Sequence, residues 1–274
     1  MKRIQQALEL SRREPLVARP DDVPVAPAVS RSAGRVSART IEIRRREPPR
    51  PISQATCDRN RLKLGTEVDA AAEAYRVVRS RVLQWLDANH RNTVAMVSAA
   101  PDEGKTLSAV NLALSIAQDT NHTVLLVDLD LRGPSIHQTL ELDVERGLES
   151  YFRGEASLEE LIVPVAFPRL AVLPCLEAMA GSSELLAGSV VRDLVEELRQ
   201  RYADRVILFD LPPALMGDDA LVFLPLIDAA LVVIGDGHTR KDHLAQLAEM
   251  LGDTPVIGSL LNRVKLHPMQ DHYR

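Results

Sequence analysis

Between residues 98 and 106 the chain reads Ser-Ala-Ala-Pro-Asp-Glu-Gly-Lys-Thr. Binding a phosphate chain takes backbone N–H groups presented at a helix start, a lysine that reaches the terminal phosphates, and a hydroxyl for magnesium. Gly104, Lys105 and Thr106 supply these parts. Ala99 stands where G-x-x-x-x-G-K-T has its first glycine, so the motif alone is incomplete, and an ordinary helix start is the competing reading. Context decides between them. The apolar runs VLLVDLDLR and VILFDLPP carry Asp128, Asp130 and Asp210 at their ends. An aspartate at a strand end often only caps a turn. Three of them beside a G-K-T converge where an open α/β sheet binds its ligand, which predicts a magnesium nucleotide site.

The elements that would position these residues are legible as apolar runs. Residues 93–98, 123–128, 170–174, 205–210, 229–235 and 255–261 are too short for buried helices and rich in Val, Leu and Ile, which reads as buried parallel strands. Helical periodicity fills the stretches 107–118, 183–202 and 240–251 between them. A further amphipathic helix, 68–88, presents Tyr75, Val78, Val82, Trp85 and Leu86 on one face. The fold class is α/β, a doubly wound, mostly parallel sheet with helices on both faces.

Composition sets the limits. Residues 1–62 hold 14 basic and 7 acidic residues, whereas the remainder holds 19 basic and 31 acidic, a surplus of +7 against −12. The first part also holds seven of the 17 prolines and the run Arg44-Arg45-Arg46, which reads as a disordered arm. It either docks on anionic lipid or an acidic partner, or is a solvated linker. Residues 3–12 could form a short amphipathic, partner-binding helix through Ile4, Ala7 and Leu8. The expected division is an arm over 1–62, a nucleotide-binding domain over 63–264 and a short tail over 265–274. Cys57 and Cys175 belong to no metal-ligand cluster, which argues against zinc and for a reducing cytoplasm. The lack of an 18-residue apolar run or a signal peptide predicts a cytoplasmic protein that does not span the membrane.

From about Glu67 to Val264 the chain resembles the bacterial tyrosine kinases of capsule and exopolysaccharide synthesis, within the wider group of partitioning and division-site ATPases. SAAPDEGKT resembles that family's Walker A loop, VLLVDLDLRGP its additional acidic motif and VILFDLPPAL its Walker B segment. Glu73-x-x-Arg76-x-x-Arg79, SELL at 183–186 and LNR at 261–263 also match, and the variant of exosortase-type polysaccharide loci is similar through NLALSIAQ and RYADRVILFDLPP. The resemblance implies ATP and Mg2+ as cofactors. Lys105 would neutralise the phosphates, Thr106 and Asp128 would hold magnesium, Asp210 would order its water shell, and Asp130 would be the base for a tyrosine hydroxyl. Ser98, Pro101, Glu103, Gly104, Leu107 and Arg132 would line the nucleotide, with Asn262 and Arg263 at the adenine. Glu73, Arg76 and Arg79 would make contacts in a homo-oligomer, and a membrane-anchored polysaccharide co-polymerase would activate the chain from the inner membrane.

The departures from the family define the alternatives. Asp102 occupies a position where the family usually has glycine, and the usual C-terminal tyrosine cluster is reduced to Tyr273, the expected phosphoacceptor. Tyr75, Tyr151 and Tyr202 fall in expected elements and read as packing residues. The leading reading is an ATP-dependent tyrosine autokinase. A nucleotide-controlled scaffold without kinase activity is the second. The third, a partitioning ATPase, conflicts with Ala100 at the signature-lysine position, and the acidic domain argues against direct DNA binding.

Overall fold

A strand covered on both faces needs apolar side chains at every position, and this explains why the six runs read as continuous Val/Leu/Ile stretches. The computed structural model describes residues 48–64, 70–202 and 204–264. The expected helix at 3–12, the run Arg44–Arg46 and the tail with Tyr273 lie outside the described residues. The strands are Thr93–Ser98 (β1), Thr123–Asp128 (β2), Val163–Pro164 (β3), Leu170–Leu173 (β4), Arg205–Asp210 (β5), Ala229–Gly235 (β6) and Val256–Asn262 (β7). All six expected strands fall within one residue of their expected bounds. The order across the sheet is β3-β4-β2-β5-β1-β6-β7, parallel throughout except where β3 pairs with β4. The short β3 lies at a sheet edge, where Pro164 removes no central ladder bond.

Successive side chains along each strand feed two cores. Ala95, Val97, Leu125, Val127, Ile207 and Phe209 enter one, covered by the helices Ser182–Ala187, Ser189–Arg201 and Lys241–Leu251. Val94, Met96, Val124, Leu126, Val206 and Leu208 enter the other, against Ala70–Asn89, Lys105–Ala117 and the short Ile136–Thr139. Val191, Leu194, Val195 and Leu198 show the three- and four-residue spacing that turns one helical face inward. The stretch 183–202, expected as one helix, divides at Gly188, whose extended backbone (ψ 165°) ends one helix and opens the next.

Composition places the end of the arm at Leu62, but the structure has a helix, Gln54–Asn60, before that boundary. Ser53 caps it, accepting from the Thr56 N–H at 3.0 Å, and Arg61 ends it in the left-handed region. Cys57 and Leu62 are buried in the second core. Proline and charge counts describe the segment's average, whereas two apolar anchors and one cap fix its structure. Among the described residues no helix is long and apolar enough to cross a membrane.

Candidate active site

The sheet order sets β2, β5 and β1 side by side, so their carboxyl ends share one edge. Asp128 and Asp210 face each other in register, and the loop after β1 leads into Lys105, the first residue of its helix. Gly104 precedes it in the left-handed region (φ 84°), where a Cβ would lie 1.9 Å from Asn262 Nδ2. The backbone conformation therefore favours glycine there, and a side chain would also displace the Asn262 amide. Asn262 Nδ2 donates to the Glu103 carbonyl at 2.9 Å, which joins the end of β7 to the loop. Glu103 itself is 1% exposed. Its carboxylate accepts from the Ala99 N–H at 2.8 Å and from the Thr239 hydroxyl at 2.5 Å, while Thr239 Oγ1 accepts from the Gly235 N–H at 2.8 Å. The loop is thus braced from β6, and a carboxylate on Ala99 N–H ties its first residue in place without a glycine.

Two carboxylates crowd around Lys105, and a third, Asp128, lies in register with one of them. Its Nζ lies 2.6 Å from Asp210 Oδ1, 3.5 Å from Asp130 Oδ2 and 3.5 Å from Thr106 Oγ1. Asp210 Oδ2 is buried with no hydrogen-bond partner. Asp128 Oδ2 accepts from the Ser135 and Ile136 N–H groups at 3.1 and 3.0 Å, and Oδ1 from the Asp130 N–H at 3.3 Å. Burial, followed by the Asp210 charge, pushes the Asp128 carboxyl up to about 8. Burial also raises Asp130, although Lys105 opposes it. One ammonium cannot neutralise three buried carboxylates, and an unpartnered Asp210 oxygen is costly. A divalent cation relieves both, so these residues fit magnesium. Among the described residues no group of three or more His, Cys, Asp or Glu forms a metal cage. Magnesium does not require one, since it keeps waters and shares substrate phosphates.

The other expected residues have distinct surroundings. Ser98 Oγ donates to the Ala100 carbonyl at 3.2 Å, and His238 Nε2 lies 3.2 Å from the Pro101 carbonyl. Leu107 packs on the second core, and Arg263 is exposed with φ 62°. The Arg132 guanidinium is held by Asp219, donating through Nε at 2.8 Å, and also reaches Ser183 Oγ at 3.2 Å and the Met216 carbonyl at 3.3 Å. A cavity of about 570 Å³ lies beside it, lined by Arg132 and residues 178–184. Arg76 pairs with Glu73 along its own helix, whereas Arg79 donates to the Ser115 carbonyl at 2.9 Å. Sequence reasoning missed Thr239, Asp219 and the amides of Ser135 and Ile136. The first follows the carboxyl end of a strand, a position that sheet topology marks as a ligand edge; the others depend on contacts distant in sequence.

Residues 89–246 match the ParA family model described as NUBPL iron-transfer P-loop NTPase. Over 210 residues the chain is 30% identical to tyrosine-protein kinase YwqD of Bacillus subtilis (strain 168), covering 76% of this chain and 87% of that protein. The chain belongs to the bacterial tyrosine kinases. This family member is also 32% identical over 203 residues to the succinoglycan biosynthesis transport protein ExoP of Rhizobium meliloti (strain 1021), covering 72% of this chain but 25% of ExoP. Its fold superposes on the kinase domain of Escherichia coli tyrosine kinase ETK with a TM-score of 0.70 at 26% identity, over 81% of this chain and 90% of that one. The loop around Lys105 lies within the span that the ParA family model matches.

Proposed function

We propose that the chain transfers the γ-phosphoryl group of ATP to a tyrosine hydroxyl, on itself or on a neighbouring copy, in the control of exopolysaccharide or capsule synthesis. The observation that carries this reading is the convergence of Lys105, Asp128, Asp130 and Asp210 beneath one phosphate-binding loop. Its cofactors are ATP and magnesium; when bound, they supply the phosphoryl group and neutralise its developing charge. Phosphoryl transfer asks mainly for positioning and electrostatic stabilisation. Lys105 moves its charge from Asp210 to the phosphates. Thr106 and Asp128 would hold the metal, and Asp210 would order its water. Asp130, its proton affinity raised by burial, accepts the tyrosine proton. Asn262 and Arg263 flank the nucleotide's base end, while Arg132 braces the Asp130 loop through Asp219.

A membrane-anchored polysaccharide co-polymerase is the proposed activator and would place the chain at the inner membrane. Glu73 and Arg76 are proposed to contact a second copy, whereas Arg79, expected to do the same, is taken up by the Ser115 carbonyl of its own chain. The acidic domain favours protein partners over DNA. The scaffold reading retains one specific support. Tyr75, Tyr151 and Tyr202 are partly buried against the cores, which leaves Tyr273 as the remaining acceptor within this chain. Full-length protein with magnesium ATP and the cytoplasmic segment of the activator, read for ATP loss and phosphotyrosine together, tests the choice. Phosphotyrosine is expected; ATP loss without it would establish the scaffold.

A further inference from the structure

The short helix Ile136–Thr139 is engaged at both ends. At its start, the Ser135 and Ile136 N–H groups hold Asp128 Oδ2. At its end, Asn60 Nδ2 donates to the Thr139 carbonyl at 2.9 Å. Two residues further on, the Thr56 hydroxyl meets Glu141 Oε2 at 2.8 Å, and Arg59 pairs with the other oxygen of the same carboxylate. Ser53 Oγ lies 2.7 Å from Thr56 Oγ1. A carboxylate only accepts, so Thr56 gives its proton to Glu141 and receives one from Ser53. Ile136 and Leu140 are buried in the same core as Cys57 and Leu62, so apolar packing joins the two segments as well. Glu141 is left-handed (φ 50°), a conformation that persists where the surroundings fix it.

We propose that the helix Gln54–Asn60 positions Asp128 for the metal. Thr56 and Asn60 grip one end of Ile136–Thr139, and the amides at the other end orient the carboxylate. Thr56, Asn60 and Glu141 are positioning residues, since none of them touches the site. Two amides fix Oδ2, which leaves Oδ1, with its single contact at 3.3 Å, as the oxygen turned to the cation. Magnesium demands near-octahedral geometry, so tilting the short helix should weaken the metal more than the nucleotide. The proposal rests on the reading of Asp128 as a magnesium ligand.

The test uses the full chain and a fluorescent ATP analogue, titrated with Mg2+ and also bound in EDTA. Thr56→Val and Glu141→Gln are expected to raise the half-saturating Mg2+ by about 5-fold, a modest coupling between distant groups, while affinity in EDTA stays unchanged. Thr56→Ser, which keeps the hydroxyl, should restore the wild-type midpoint. Asp128→Asn is the control. If it leaves the Mg2+ midpoint unmoved, the metal reading fails and the proposal with it. If it raises the midpoint while Thr56→Val and Glu141→Gln do not, the positioning role is overturned and the metal reading stands. Equal losses with and without Mg2+, or no rescue by Thr56→Ser, would likewise overturn it by reducing the segment to a structural prop.

Discussion

Asp102 adopts a left-handed conformation (φ 60°) on the exposed turn of the phosphate-binding loop. For an L-residue this costs about 1 kcal/mol, and the carboxylate repels phosphate besides. Asp102→Gly is therefore expected to raise the thermal midpoint and tighten ATP binding, as read by calorimetry and nucleotide titration; a lower midpoint would contradict the strain. The Asp128 carboxyl makes a pH prediction for magnesium-free, nucleotide-free protein. Its ordinary value of 3.8 rises to about 8 in the folded chain. Between those values the folded state holds a proton that the unfolded state has released, so stability falls as pH rises. Asp128→Asn should gain on the wild type in thermal midpoint from about pH 5 to 8 and show no such gain near pH 4. Parallel curves would remove the burial account. The residue scale is also where the sequence was least explicit. Lys105, Asp128 and Asp210 announce themselves by their position after apolar strands, but the Arg132–Asp219 pair joins residues 87 apart in the chain, and no local pattern encodes that choice.

At the scale of elements, the helix Ala70–Asn89 illustrates both what pattern reveals and what it hides. Val82 and Leu86 are buried, with Tyr75, Val78 and Trp85 packed beside them, as the periodicity predicts. Its charged side is less uniform. Arg76 forms an exposed i,i+3 pair with Glu73, a type worth about 0.3–0.5 kcal/mol, whereas Arg79 meets a backbone carbonyl in the last turn of Lys105–Ala117. A cation there satisfies a helix-end carbonyl and is favoured by the helix dipole. Arg79→Ala is thus expected to destabilise the monomer by about 0.5–1 kcal/mol, and Arg76→Ala to weaken self-association without a change in monomer stability. Chemical denaturation and light scattering at matched concentration separate the two effects; a stable Arg79→Ala monomer would refute the carbonyl contact. The six parallel strands were legible because a doubly buried strand must be apolar at every position. Val163–Pro164 was not, since two residues carry no period, and Gln54–Asn60 was masked by the prolines and arginines around it.

For the whole molecule, the sheet order converts separate sequence signals into one site. Asp128 and Asp210 lie 82 residues apart, yet adjacent parallel strands bring them into register, and the loop after β1 delivers Lys105 onto Asp210. The burial that builds the two cores also raises Asp128 and Asp130, so folding and phosphate chemistry draw on the same layout. Topology therefore made the convergence of Lys105, Asp128 and Asp210 readable from the chain alone, whereas the braces from Thr239 and Thr56 required the folded contacts. The central claim is that this site transfers phosphate to tyrosine. Its most direct test is phosphotyrosine formation by the full-length chain with magnesium ATP and the activator's cytoplasmic segment, comparing the wild type with Lys105→Met at equal folded fraction. The account predicts phosphotyrosine in the wild type and its loss in Lys105→Met with the fold intact. ATP hydrolysis without phosphotyrosine in the wild type, or an undiminished signal in folded Lys105→Met, would contradict it.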